Sequence, residues 1–417
     1  MFSKRMLAYL LSVGLMSSAA RAGVNYEEPP INYSTTAPEN VVSRLQERMT
    51  AGNTGLEWDA RHGYLPSLLR ALDVPVSSQV LAFSKTSLQD DKIGPKTPRA
   101  VYFNDDVHIG YVQRGVLEIA AADPRLGMVY YTLEQTADSP PLFQRRTNNC
   151  LTCHGAARTR NVPGLLVRSV FPDSDGQPVI AAGSFLTTPS SPLSQRWGGW
   201  YVTGKHGDQL HLGNFSLSER KKPKQIENAQ GQNVLDLSNR FDVNQYLSPH
   251  SDIVALMVLE HQASAYNLMT QGSFEVRYAQ HILEQSTGDG IAVADQQLQQ
   301  AVARSADLIA AGFLYANEVR LTGPIRGTST FASEFSARGS QTTQGQSLRE
   351  FDLQTRVFRY PCSYLIQSSY YQKLPKKLRD AVEQRMRDAV AGVKPIDGQH
   401  ALTQEERTAI LGFLAGR

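Results

Sequence analysis

Cysteine is scarce in this chain, with three among 417 residues. The odd count excludes a dense disulfide framework, and a chain of this length buries a core without one. A surplus of charge is also missing. Forty-two basic residues face thirty-nine acidic ones, a formal +3 that is weak for a nucleic-acid binder of this size. Glycine (31) and proline (21) are near average, which excludes collagen-like and low-complexity compositions. No internal repeat is visible. No segment after the N-terminus is long and apolar enough to span a bilayer.

The N-terminus does carry a short apolar run, residues 6–16, about 11 residues against the ~20 needed to cross a membrane. Lys4 and Arg5 precede it and Ala20-Arg21-Ala22 comes after it. A basic start, a short apolar stretch and an A-x-A site predict a cleavable signal peptide over 1–22. The chain is therefore expected to be exported, periplasmic, and soluble rather than membrane-spanning. The cut removes Lys4, Arg5 and Arg21, so 39 basic residues remain against 39 acidic ones. A balanced chain has no general attraction to polyanions, and no nucleic-acid partner is expected.

The hydrophobic periods predict an α+β fold: a β-rich N-terminal part, a cysteine-containing segment, and a mainly helical C-terminal part. Residues 23–60 read as an extended arm and a short helix over 41–50, and 64–72 as a second short helix. Residues 61–148 read as a β-rich domain, with strands at 79–83, 108–113, 116–121 and 128–133. Residues 149–250 alternate short β-like stretches with loops, and the basic run at 221–224 reads as a solvated loop. Asp105 and Asp106 read as a solvated turn. Residues 251–417 turn helical, over 253–270 and 297–315. A later helix carries the stripe Leu378, Val382, Met386 and Val390, and a last one starts at Thr403, whose pairing with Glu406 fits a capping box.

The chemistry lies in Asn149-Cys150-Leu151-Thr152-Cys153-His154-Gly155, which contains C-x-x-C-H. This is the attachment signature of c-type haem. Two cysteines three apart lie on one side of a helical turn and can add to the two vinyl groups of one porphyrin edge. His154 then presents an imidazole nitrogen to the iron. Asn148 or Asn149 is the expected helix N-cap. A structural zinc needs about four ligands, and only Cys362 remains. A thioredoxin-like pair leaves His154 unexplained. A disulfide across two residues is strained. A single motif predicts one covalent haem c and argues against a di-haem peroxidase.

The wider chain resembles a largely uncharacterised family of exported bacterial proteins with a single cytochrome c-type haem motif. The matching stretches are 78–89 (SQVLAFSKTSLQ), 102–112 (YFNDDVHIGYV), 149–155, 196–213 (RWGGWYVTGKHGDQLHLG), 255–262 (ALMVLEHQ) and 360–367 (YPCSYLIQ). The resemblance implies haem binding and electron transfer and supplies no substrate. The closing helix also resembles that of cytochrome c domains.

A haem iron held by His154 has either a second protein ligand or an open position, which separates carriers from catalysts. His211 and His206, between glycines, rank first as that ligand, and His261 comes next. Met257 shares a helical face with His261 but reads as core. Arg145, Arg146 and Arg196 are candidates for haem propionates, and Trp197, Trp200 and Tyr201 for packing on the porphyrin. Cys362 reads as a buried thiol. The leading expectation is an electron carrier serving a redox partner protein. The alternatives are a haem-dependent oxidoreductase or peroxidase, or a haem-based gas sensor. Size motivates them: a simple cytochrome domain needs about 100 residues.

Overall fold

The computed structural model describes residues 25–219, 221 and 225–415. The expected signal peptide and part of the basic run at 221–224 lie outside the described residues.

The first half of the chain builds an antiparallel meander. Its strands are β1 (Val80–Ala82), β2 (Arg99–Phe103), β3 (Val107–Tyr111), β4 (Leu117–Asp123), β5 (Gly127–Leu133) and β6 (Phe143–Arg146). Two short strands, β7 (Arg168–Val170) and β8 (Ser184–Leu186), pair with each other, and β9 (Trp200–Tyr201) returns to the main sheet beside β1. The seven-stranded order is β6-β5-β4-β3-β2-β1-β9. All five positions of β3 are buried, so this central strand is covered on both faces.

The β4–β5 hairpin anchors the sheet to the rest of the molecule. Asp123 Oδ1 accepts from the backbone N–H groups of Arg125 and Leu126, each at 3.0 Å, which closes the turn. Gly127 ends it at φ +75°, and a Cβ there would come within 2.6 Å of both the Pro163 carbonyl and Thr270. Sheet, post-motif loop and long helix meet at this glycine, and only glycine allows the approach.

Two helices precede the sheet, α1 (Val41–Thr50) and α2 (Leu65–Ala71); α3 (Leu151–His154) carries the motif. The C-terminal half holds α4 (Ile253–Gln285), α5 (Gly290–Phe313), α6 (Phe331–Ala337), α7 (Ser369–Gln372), α8 (Lys376–Val390) and α9 (Gln404–Ala415). Asn40 caps α1 through a capping box with Ser43. Asp252 caps α4 and also accepts from the N–H groups of Thr328 and Ser329. Along α4 the first turns are buried on every side, so this helix is a central beam rather than an amphipathic surface helix. It packs closely on α5: a Cβ at Gly272 would stand 2.9 Å from Ile309, and one at Gly312 2.4 Å from Leu268. The stripe Leu378, Val382, Met386 and Val390 is buried on α8. Thr403 and Glu406 form the expected reciprocal box at the start of α9. No helix among the described residues is long and apolar enough to cross a membrane.

The chain is mixed helix and sheet, consistent with α+β. One connected core runs from Ile31 to Leu414, so the β-rich and helical parts share it. The arm before α1 belongs to that core. Ile31 and Tyr33 are fully buried, and the Tyr33 hydroxyl donates to the Met128 carbonyl. Asp105 is not a solvated turn residue either. It pairs with Arg349, its carboxyl is raised by burial, and the Tyr266 hydroxyl donates to its backbone carbonyl.

Candidate functional site

Strand β6 delivers the chain directly into the cysteine motif. Cys150 opens the turn, and His154 N–H donates to the Cys150 carbonyl at 2.9 Å. Neither asparagine side chain caps it; the Asn148 backbone carbonyl takes the Leu151 N–H instead. Both cysteines stand outside any disulfide, Cys150 half-buried and Cys153 exposed.

The His154 ring is fixed from behind. Its Nδ1 lies 3.0 Å from the Gly164 carbonyl, while Gly164 N–H donates to the His154 carbonyl at 2.8 Å. Burial lowers the imidazole pKa, with the Gly164 carbonyl opposing, so the ring is neutral at pH 7. Against a carbonyl, Nδ1 carries the proton and the lone pair sits on Nε2. Nε2 has no hydrogen-bond partner among the described residues.

Gly164 is itself clamped. Asn267 on α4 accepts from Leu165 N–H at 2.9 Å and donates to the Leu165 carbonyl at 2.8 Å. A Cβ at Gly164 would fall 2.1 Å from the Asn267 Oδ1, so no larger residue fits. Tyr130 on β5 donates to the same Gly164 carbonyl at 2.5 Å, and its ring centroid lies 5.2 Å from that of His154. A Cβ at Gly155 would meet the Tyr26 hydroxyl at 2.4 Å. Gly164, Tyr130 and Asn267 are the residues that sequence reasoning missed.

The thiol electrostatics bear on the rival chemistries. Burial pushes the Cys150 thiol up to about 11, with Glu118 adding to the shift. A disulfide-exchange pair needs a thiol pulled down, so Cys150 is a poor nucleophile. No group of three or more His, Cys, Asp or Glu side chains among the described residues is arranged to hold a metal ion, so a zinc at Cys150 and Cys153 lacks its other ligands. The residues do fit a haem c attachment turn: two unbridged thiols three apart and an imidazole whose outward nitrogen holds a lone pair.

Of the other expected site residues, Arg146 lies near enough to Cys150 for its charge to oppose the rise of the thiol, and the rest make their bonds to other groups. Arg196 is buried and donates to Glu260 at 2.7 Å and to the Ser191 and Pro189 carbonyls at 2.8 and 3.0 Å. Trp197 Nε1 donates to the other Glu260 oxygen. Both were expected at the haem; their polar groups serve a buried carboxylate on α4 instead. Burial raises the Glu260 carboxyl, and Arg196 opposes the shift. Trp200 Nε1 donates to the Arg168 carbonyl, and the Tyr201 hydroxyl to that of Pro95. Arg145 donates to the Thr36 and Tyr33 carbonyls of the arm, and Arg146 to Thr132 and Gln144.

His206 and His211 lie together, ring centroids 4.6 Å apart, beside Trp197. Their tautomers are set by backbone donors. Asn233 N–H donates to His206 Nε2 at 2.9 Å, and Gly213 N–H to His211 Nδ1 at 3.0 Å. Each remaining ring nitrogen therefore bears a proton and cannot ligate a metal while those bonds stand. Both were expected as the distal iron ligand; in this arrangement neither ring presents a lone pair. His261 lies in a third place, 2.7 Å from Ser363 Oγ among Tyr315, Phe358 and Tyr364. None of the three shares a hydrogen bond, ring contact or electrostatic interaction with Cys150, Cys153 or His154 among the described residues. Met257 and Cys362 are buried, as core residues.

No family model, curated protein or solved structure matches the chain.

Proposed function

We propose that this chain is an exported, periplasmic c-type cytochrome that carries one covalent haem and passes electrons to or from a partner protein. The observation that carries the reading is the Cys150-x-x-Cys153-His154 turn with His154 Nδ1 held on the Gly164 carbonyl. That bond fixes the ring and leaves the Nε2 lone pair, which would hold the haem iron. Cys150 and Cys153 would each add a thiol S–H across a vinyl group, forming thioethers with no oxidant needed. A haem held there exchanges one electron between its ferric and ferrous states. Tyr130 and Asn267 keep the supporting carbonyl in place through that exchange. The helical half, closed by α9, is the part read as cytochrome c-like.

A second reading has its own support. His206 and His211 present N–H groups rather than lone pairs, so a haem held by His154 would not gain a second ligand from them. An open position suits a haem-dependent oxidoreductase, peroxidase or gas sensor.

Production with haem-attachment machinery tests the main reading. Acid–acetone treatment should leave the colour on the protein, and His154→Ala should abolish the native spectrum. Extraction of all colour, or no incorporation, overturns it. A ferric spectrum of a five-coordinate or water-ligated iron selects the second reading over the carrier.

A further inference from the structure

A second feature lies away from the cysteine motif: a cleft of about 360 Å³ between the β2–β3 turn and α6. Phe103, Phe331 and Phe335 line one part of it, and Asp105, Asp106 and Arg349 another. That volume, with aromatic walls and a few placed polar groups, is that of a small-molecule site.

The charges can be assigned one by one. Arg349 is committed: it pairs with Asp105, and its guanidinium lies 4.6 Å from the Phe335 centroid and 4.5 Å from that of Tyr364. Asp105 is held further by Gln262, which also bonds His108 and Tyr364. Arg338, at the rim, pairs with Asp73 at 3.2 Å and donates to the Asp73 carbonyl. The two arginines and two of the aspartates therefore cancel. Asp106 is left over. Its carboxylate accepts from Ser369 Oγ at 3.2 Å and has no basic partner among the described residues. The cleft carries a surplus of one negative charge beside three phenylalanines.

We propose that this cleft binds a small organic monocation, an amine with an apolar body, whose ammonium pairs with Asp106 and whose body lies against Phe103, Phe331 and Phe335. An ammonium gains from the carboxylate, and an apolar body from the parts of the three rings that reach the cleft. A carboxylate ligand meets the opposite situation, because each arginine is already neutralised. Binding here does not depend on haem.

Isothermal titration of the full-length protein with 2-phenylethylammonium, and with 3-phenylpropionate as the anionic counterpart, tests it. The amine should bind at least tenfold more tightly than the acid. Asp106→Asn keeps an oxygen for Ser369 and should weaken the amine at least tenfold without lowering the melting temperature. Arg338→Ala frees Asp73 and should tighten it, a change of opposite sign that misfolding does not produce. Equal or tighter binding of the acid overturns the proposal. So does an affinity unmoved by Asp106→Asn, a weakened one in Arg338→Ala, or no binding of the amine at millimolar concentration.

Discussion

Arg196→Met separates the buried ion pair seen at Arg196 from the haem-propionate role read from sequence. The guanidinium makes three hydrogen bonds, to Glu260 and to the Ser191 and Pro189 carbonyls. Methionine fills similar space and makes none of them. Glu260 is left fully buried, with Trp197 as its only donor among the described residues. Breaking a buried pair from one side costs about 3–5 kcal/mol. A pH dependence identifies the cause. Burial already holds the Glu260 carboxyl above its ordinary value, and losing Arg196 raises it further. The folded state then keeps a proton that the unfolded state has lost above about pH 4.5. Stability must therefore fall as pH rises through that window, by up to about 1.4 kcal/mol per unit, and level off above the folded pKa. Adding Glu260→Gln removes the titrating group and should flatten the dependence. Urea unfolding from about pH 5 to about pH 7 measures it, with the buried Trp197 and Trp200 as fluorescent reporters. A loss below about 1 kcal/mol with no pH dependence would refute the pairing.

Three further outcomes concern the motif's surroundings. Gly164→Ala drives a methyl into Asn267, breaks both bonds to Leu165 and should cost about 2–4 kcal/mol, read as a lower denaturation midpoint; an unchanged midpoint would contradict the clamp. Tyr130→Phe leaves the Gly164 carbonyl to His154 alone, which makes the imidazole more electron-rich. It should cost about 1 kcal/mol of stability and lower the reduction potential of the loaded chain, and a raised potential is the contrary result. In haem-free protein at pH 8, a thiol raised to about 11 is roughly one part in a thousand thiolate, so iodoacetamide should modify exposed Cys153 before Cys150. Peptide mass spectrometry that finds Cys150 modified first would contradict the burial.

Some elements are legible in the sequence and others are hidden for physical reasons. Helix α1 lies where the spacing of Val42, Leu45 and Met49 puts it, and strands β3 to β5 overlap the apolar stretches that suggest them. Strand β6 escapes such a reading because only Phe143 on it is buried and two arginines end it. Helix α4 runs past residue 270 to Gln285, where Gly272 interrupts the apolar pattern yet serves close packing on α5. At the site, Cys150, Cys153 and His154 are legible because one turn holds all three. Gly164, Tyr130 and Asn267 come from a loop, a strand and a distant helix, and no local spacing joins them. His206 and His211 mislead for a related reason. Composition displays two imidazoles between glycines, but not the Asn233 and Gly213 N–H groups that occupy their lone pairs.

In the proposed cytochrome, Cys150 and Cys153 would anchor one haem through thioethers and His154 would hold its iron. The intact mass of chain exported from cells with haem-attachment machinery tests that attachment without an intermediate step. One species is expected, beginning at Gly23 and heavier than the bare chain by one haem, with the bare mass alone for Cys150→Ser/Cys153→Ser. A wild-type chain exported at the bare mass would contradict it.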